Sequence, residues 1–275
     1  MLRLSDREKR KVLLQNEPIE VCGLKLFPIT MHYYEEFQLY KQVLLLRLST
    51  LPAAYGVKDY FSAIYLMDLD AIKNTGNPVG FISMFFQLLM LALRLPIEET
   101  GERIQIIPKD ESGRTLDGVN VRLQDGNKVL LKLNDLQEIR EAIAFLNGEK
   151  LPDESENPEL VRAREQLAEI GSARLDANVN DLISSVAYAS GLREKELLDW
   201  TIREFNSRVS AISRQLLYVI CGINEGSGAT WKNGNPAPSW YFDRHVSPSE
   251  AFTPVGQVLG TLGQSESWLD AQQKN

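Results

Sequence analysis

Residues 194–223, EKELLDWTIREFNSRVSAISRQLLYVICGI, carry the clearest pattern in the chain. Leu198, Ile202, Phe205, Val209, Ile212, Leu216, Val219 and Ile223 follow one another at alternating steps of four and three, which is a heptad seam on one long helix. About 30 residues at 1.5 Å each give a rod on the order of 45 Å. Such a seam either packs inside its own chain against the two preceding helices or offers itself to another chain. Both readings stay open at this point, and the seam predicts a mainly helical protein.

Upstream, Val179 to Ala189 forms a shorter helical pattern ending at Gly191, and Asn157-Pro158 suits the N-cap and first position of another running to about Ile170. Before these, GEKLPDESENPE (148–159) is acidic and polar and contains two prolines, so it is the expected domain linker. Between Arg103 and Leu133 the period changes to two, with Ile104/Ile106, Val119/Val121/Leu123 and Val129/Leu131/Leu133. Asp117-Gly118 and Asp125-Gly126 are turn signals, giving an antiparallel meander. Asn134 with Gln137 is a capping box for a helix ending near Gly148.

The first hundred residues hold a short hairpin or bent strand at Ile19–Phe27, then three helices. They run from Thr30 to about Leu48, from Val57 to Ile72, and from Pro78 to a close before Pro96. The third, with its core VGFISMFFQLLMLALRL (79–95), is at the short limit for a bilayer span. Ser83, Gln87 and Arg94 fall on one stripe, so a buried core helix with one wet edge is expected, not a membrane segment.

The expected organisation is therefore α+β and mainly α: a helical bundle with a small antiparallel meander at about 103–133, a long C-terminal helix and a mobile tail. Its parts are an N-terminal domain over 1–147, the linker 148–159, a helical domain over 160–223 and a tail over 224–275. The tail is rich in Gly, Ser, Pro and Asn, yet holds Trp231, Trp240 and Trp268. Aromatic side chains in such a segment either dock back on the body or anchor a partner.

Composition narrows the function. With Lys and Arg at 30 against 37 Asp and Glu, the chain carries a formal charge of −7, which disfavours nucleic acid as the main partner. The local basic group of Arg3, Arg7, Lys9, Arg10 and Lys11 reads as a solvated helix face. Cys22 and Cys221 stand far apart with no signal-peptide core ahead of them, consistent with reduced thiols in a cytoplasm. His32 and His245 lack neighbouring ligands at metal spacing, so no metal site is expected. The run GINEGSGATWKNG (222–234) lacks the Gly-Lys-Ser/Thr ending of a phosphate loop and the spacing of a dinucleotide fingerprint. No cofactor and no catalytic residues are assigned, and the expectation is a protein-binding chain that is not an enzyme. Its candidate partner-binding residues are Leu198, Ile202, Phe205, Val209, Ile212 and Leu216 on the seam, with Trp231, Trp240, Tyr241 and Phe242 in the tail.

Three segments carry a resemblance: VCGLKLFPITMHYYEEFQLY (21–40), LNDLQEIREAIAFLNGEKLPDESENPEL (133–160) and SGLREKELLDWTIREFNSRV (190–209). In this order the chain, over about residues 19 to 220, resembles tail assembly chaperones from the tail-gene clusters of phages and prophages of Gram-positive bacteria. The resemblance implies a cytoplasmic, non-enzymatic protein that coats the tape-measure protein, recruits tail-tube subunits and is absent from the finished particle. It leaves room for a homo-oligomer. The alternatives are a structural virion component, such as a connector or baseplate subunit, and an enzyme or regulator on an unfamiliar scaffold.

Overall fold

The computed structural model describes residues 4–56, 58–111, 113–157, 159, 178–228, 235 and 237. Its first helix, α1 (Asp6–Gln15), opens on a Ser5–Glu8 capping box and closes on Asn16 in the left-handed region. Strands β1 (Ile19–Val21) and β2 (Leu24–Leu26) then form a hairpin. Its two-residue turn places Cys22 (φ 51°) and Gly23 (φ 76°) both at positive φ, as a tight right-twisted hairpin requires.

The helix expected from Thr30 to Leu48 is broken. A 3₁₀ turn (Met31–Tyr33) leads into α2 (Tyr34–Tyr40) and α3 (Gln42–Leu45). Phe37, Tyr40 and Leu44 of the expected face are buried, while Tyr33 is exposed. After the single turn α4 (Ala53–Gly56), Asp59 caps α5 (Tyr60–Thr75), accepting from the Ser62 N–H. The apolar helix α6 (Phe81–Ala92) begins three residues after Pro78. Ser83 is exposed and Gln87 half-buried along its expected wet edge, and no helix among the described residues is long and apolar enough to cross a membrane.

A turn of helix, α7 (Thr100–Arg103), feeds the meander of β3 (Ile104–Pro108), β4 (Leu116–Arg122) and β5 (Lys128–Lys132), paired antiparallel in chain order. Asp125-Gly126 makes the expected turn, with the Asn127 N–H donating to the Asp125 carboxylate. Asp117-Gly118 does not make one. It lies inside β4, beside a register shift at Ile107/Pro108, and Gly118 pairs with Lys132. A Cβ on Gly118 would stand 2.3 Å from the Leu131 carbonyl oxygen, so glycine here permits close approach of two strands. Gly118→Ala should therefore destabilise the protein by about 1–3 kcal/mol. Gly222→Ala, on an open helical site, should instead stabilise it by up to about 1 kcal/mol. Urea unfolding of the two variants checks both signs.

Helix α8 (Leu133–Asn147) starts directly after β5, so Leu133 is helical and not the end of a strand. Its box is also shifted, with Asp135 accepting from the Lys132 N–H in place of the expected Asn134–Gln137 pair. The helix ends at Gly148 in the left-handed region, as expected. It packs on α5 and across β1, β4 and β5. Phe61 of α5 meets Phe85 of α6 edge-on at 4.6 Å between ring centres. Arg140 of α8 is buried with its guanidinium 3.6 Å from the Tyr60 ring centre, and it donates to the Leu44 carbonyl at 2.6 Å. Burial pushes the Tyr60 phenol up to about 12. At the hairpin turn the Cys22 thiol faces Asp135 and Glu138; burial first, then these carboxylates, push it up to about 12.

The acidic stretch after α8 is fastened to the body it follows. Glu154 accepts from the Leu48 and Ser49 N–H groups, Arg47 pairs with Glu156 at 3.3 Å, and Lys41 with Glu149 at 3.2 Å. The chain divides into compact units at Arg208/Val209, so the boundary expected at 148–159 lies inside the first unit. The helix expected after Pro158 lies outside the described residues. Helix α9 (Val179–Ser190) follows its expected bounds, capped by Asn178 and ended by Gly191.

The long helix expected over 194–223 is two helices, α10 (Glu194–Leu198) and α11 (Ile202–Gly226). Backbone pairing breaks it. The Met31 N–H donates to the Trp200 carbonyl and the Ile202 N–H to the Ile29 carbonyl, each at 2.9 Å, and Thr201 bridges Thr30. Thr201 and Glu204 then form a capping box that restarts the helix.

Candidate functional site

The heptad positions of 194–223 have three different environments. Ile202 and Phe205 are fully buried, with Phe205 edge-on to Tyr34 at 6.4 Å between ring centres, and Leu198 of α10 is half-buried. Of these three, all expected to contact a partner, Ile202 and Phe205 are placed in the core and have no surface to offer.

Val209 and Ile212 are half-buried. Beyond them the same face is open: Leu216 is 59% exposed, Val219 47% and Ile223 63%. Ile220, at 54%, widens the strip by one position, while the exposed Leu217 and Tyr218 lie on other faces of the helix. Between Val209 and Ile223 the only charged side chain is Arg214. From Ile212 to Ile223 the strip spans three helical turns, about 16 Å at 1.5 Å per residue. Trp231, Trp240, Tyr241 and Phe242 lie outside the described residues.

An exposed aliphatic face in heptad register has the spacing that side chains of another helix fit, because knobs at steps of three and four need holes at the same spacing. It holds no nucleophile, acid or base, so its chemistry is that of burial. Val219 and Ile223 stand on the seam read from sequence, though not among its named partner-binding residues, whereas Leu217 and Ile220 lie off it. The signal available for them was the uncharged run LLYVICGI (216–223), whose apolar residues exceed what one buried face of a helix needs. Elsewhere, His32 and Asp199 form an exposed pair at 3.3 Å, and among the described residues no group of three or more His, Cys, Asp or Glu could hold a metal ion.

No protein-family model, curated protein or solved structure matches this chain.

Proposed function

We propose that this chain is a non-enzymatic binding protein that holds an amphipathic helix of a client along the Ile212–Ile223 strip of α11. Following the resemblance of residues 19–220, the client is the tape-measure protein of a phage tail, coated in the host cytoplasm, with the tail-tube subunit as a second partner. One observation carries the binding part: a single heptad pattern is buried at Ile202 and Phe205 and open at Leu216, Val219 and Ile223. An aliphatic surface of this kind shields a client's apolar stripe without adding charge to it, and the acidic chain around it, at −7, supplies solubility.

Co-expression with the tape-measure protein tests this. The client's soluble fraction should rise with the wild-type chain. It should fall back to the level seen alone with Leu216→Asp/Ile223→Asp, which puts two carboxylates where the client's apolar stripe would lie. Equal client solubility with and without the wild-type chain would overturn the proposal.

A further inference from the structure

A cavity of about 480 Å³ opens between the segment that follows the hairpin and the C-terminal end of α6, within the size range of ligand pockets. Its walls are fixed by hydrogen bonds of the backbone N–H groups. The Phe27 N–H donates to Ala92 at 2.7 Å, the Ile29 N–H to the buried Asn147 side chain at 2.9 Å and the Leu95 N–H to Met90 at 2.9 Å. Arg94 holds the left-handed conformation, φ 57°, in which side chains other than glycine are uncommon, and so turns the chain sharply at the rim.

The lining joins an apolar floor to uncommitted charge. Pro28, Ile29, Leu91 and Leu95 are buried. Glu36, half-buried, and Glu98, exposed, both line the cavity, and neither carboxylate has a hydrogen-bonding or ion-pair partner among the described residues. Burial first, then Glu36 and Glu98, raise the neighbouring Tyr40 phenol, so both carboxylates lie within electrostatic reach of one group. The one cation of the lining, Arg94, stands over the Phe27 ring at 4.2 Å. Two free carboxylates against a guanidinium held on a ring leave the cavity acidic, above a floor that favours methylenes.

We propose that this cavity receives a lysine or arginine side chain of a partner protein, its stem on Pro28, Leu91 and Leu95 and its charged head between Glu36 and Glu98. Long basic side chains bury their stems and keep the head polar, and a carboxylate answers the head with charge-assisted hydrogen bonds. The site shares no residue with the α11 strip and stands whether or not a client helix binds there.

The test uses the full chain and the peptide acetyl-Gly-Leu-Lys-Leu-Gly-amide, with versions carrying norleucine or glutamate in place of lysine. Methyl NMR of Ile29, Leu91, Leu95 and Ile97 reads binding. The lysine peptide should shift these methyls saturably and bind at least about tenfold more tightly than the norleucine peptide, the effect of one charge-assisted contact. Glu36→Gln/Glu98→Gln should remove that difference while leaving the protein folded, since neither carboxylate bonds a neighbour among the described residues. Norleucine binding as well as lysine, tighter binding of the glutamate peptide, or no saturable shift with any peptide would each overturn the proposal.

Discussion

Asp68→Ala should cost the protein about 3–5 kcal/mol, a large fraction of the stability of an ordinary domain. Asp68 is buried in α5, and its carboxylate accepts from the N–H groups of Gly80 at 2.8 Å, Phe81 at 3.3 Å and Ile82 at 2.9 Å. These are first-turn donors of α6, which the helix cannot satisfy itself. The residue at its N-cap, Gly80, has no side chain to cap with and sits at φ 93°. Because Ile82, Phe85, Phe86, Leu88, Leu89 and Met90 are all buried, water has poor access to repair the loss. The carboxylate also sits at the positive end of the helix dipole, where a negative charge is favourable. Asp68→Asn keeps one acceptor oxygen and should lose about half as much. Urea unfolding with an unchanged denaturant slope would read the difference as stability. A loss below about 1 kcal/mol for the alanine variant would mean that solvent reaches these donors after all.

This cap shows why the fold was only partly legible in the sequence. Signals confined to a few residues transferred well: the hairpin at Cys22-Gly23, the Asp125-Gly126 turn, the Gly148 and Gly191 helix ends and the alternation of the meander. Signals that depend on a distant segment did not. The seam of 194–223 is unbroken in sequence, but the Met31 N–H donates to the Trp200 carbonyl and the Ile29 carbonyl accepts from the Ile202 N–H, which splits it. Thr201 and Glu204 have the spacing of a capping box, a local signal that the reading of one continuous helix over 194–223 did not use. Asp117-Gly118 has turn composition and is nonetheless a strand, because a small residue is needed where β4 approaches Leu131. The acidic stretch 148–159 has linker composition, but its carboxylates find Arg47, Lys41 and the backbone of 48–49.

The candidate site was legible as a pattern, and its division was not. Period identifies residues that share a face; it cannot say where along the helix the protein's own core stops. The cavity near Arg94 was invisible for a related reason, since Glu36 and Glu98 come from segments some sixty residues apart. Neither carries a motif.

The division of the seam yields the second large effect. Phe205→Ala should destabilise the protein by about 3–5 kcal/mol, because the ring is fully buried and its removal leaves a cavity against Tyr34. Ile223→Ala removes an apolar group from the same heptad face, yet that side chain is largely in water. Its cost should stay within about 0.5 kcal/mol. The readouts should reverse for binding: Ile223→Ala should weaken retention of the client, while Phe205→Ala, measured where it is still folded, should retain it. Urea midpoints and client co-purification on the same two variants separate the roles. If Ile223→Ala costs as much stability as Phe205→Ala, the distal strip is already covered within the protein and is not free to receive a helix. If Phe205→Ala costs less than about 1 kcal/mol, the proximal seam is not core, and the assignment of the two halves is wrong.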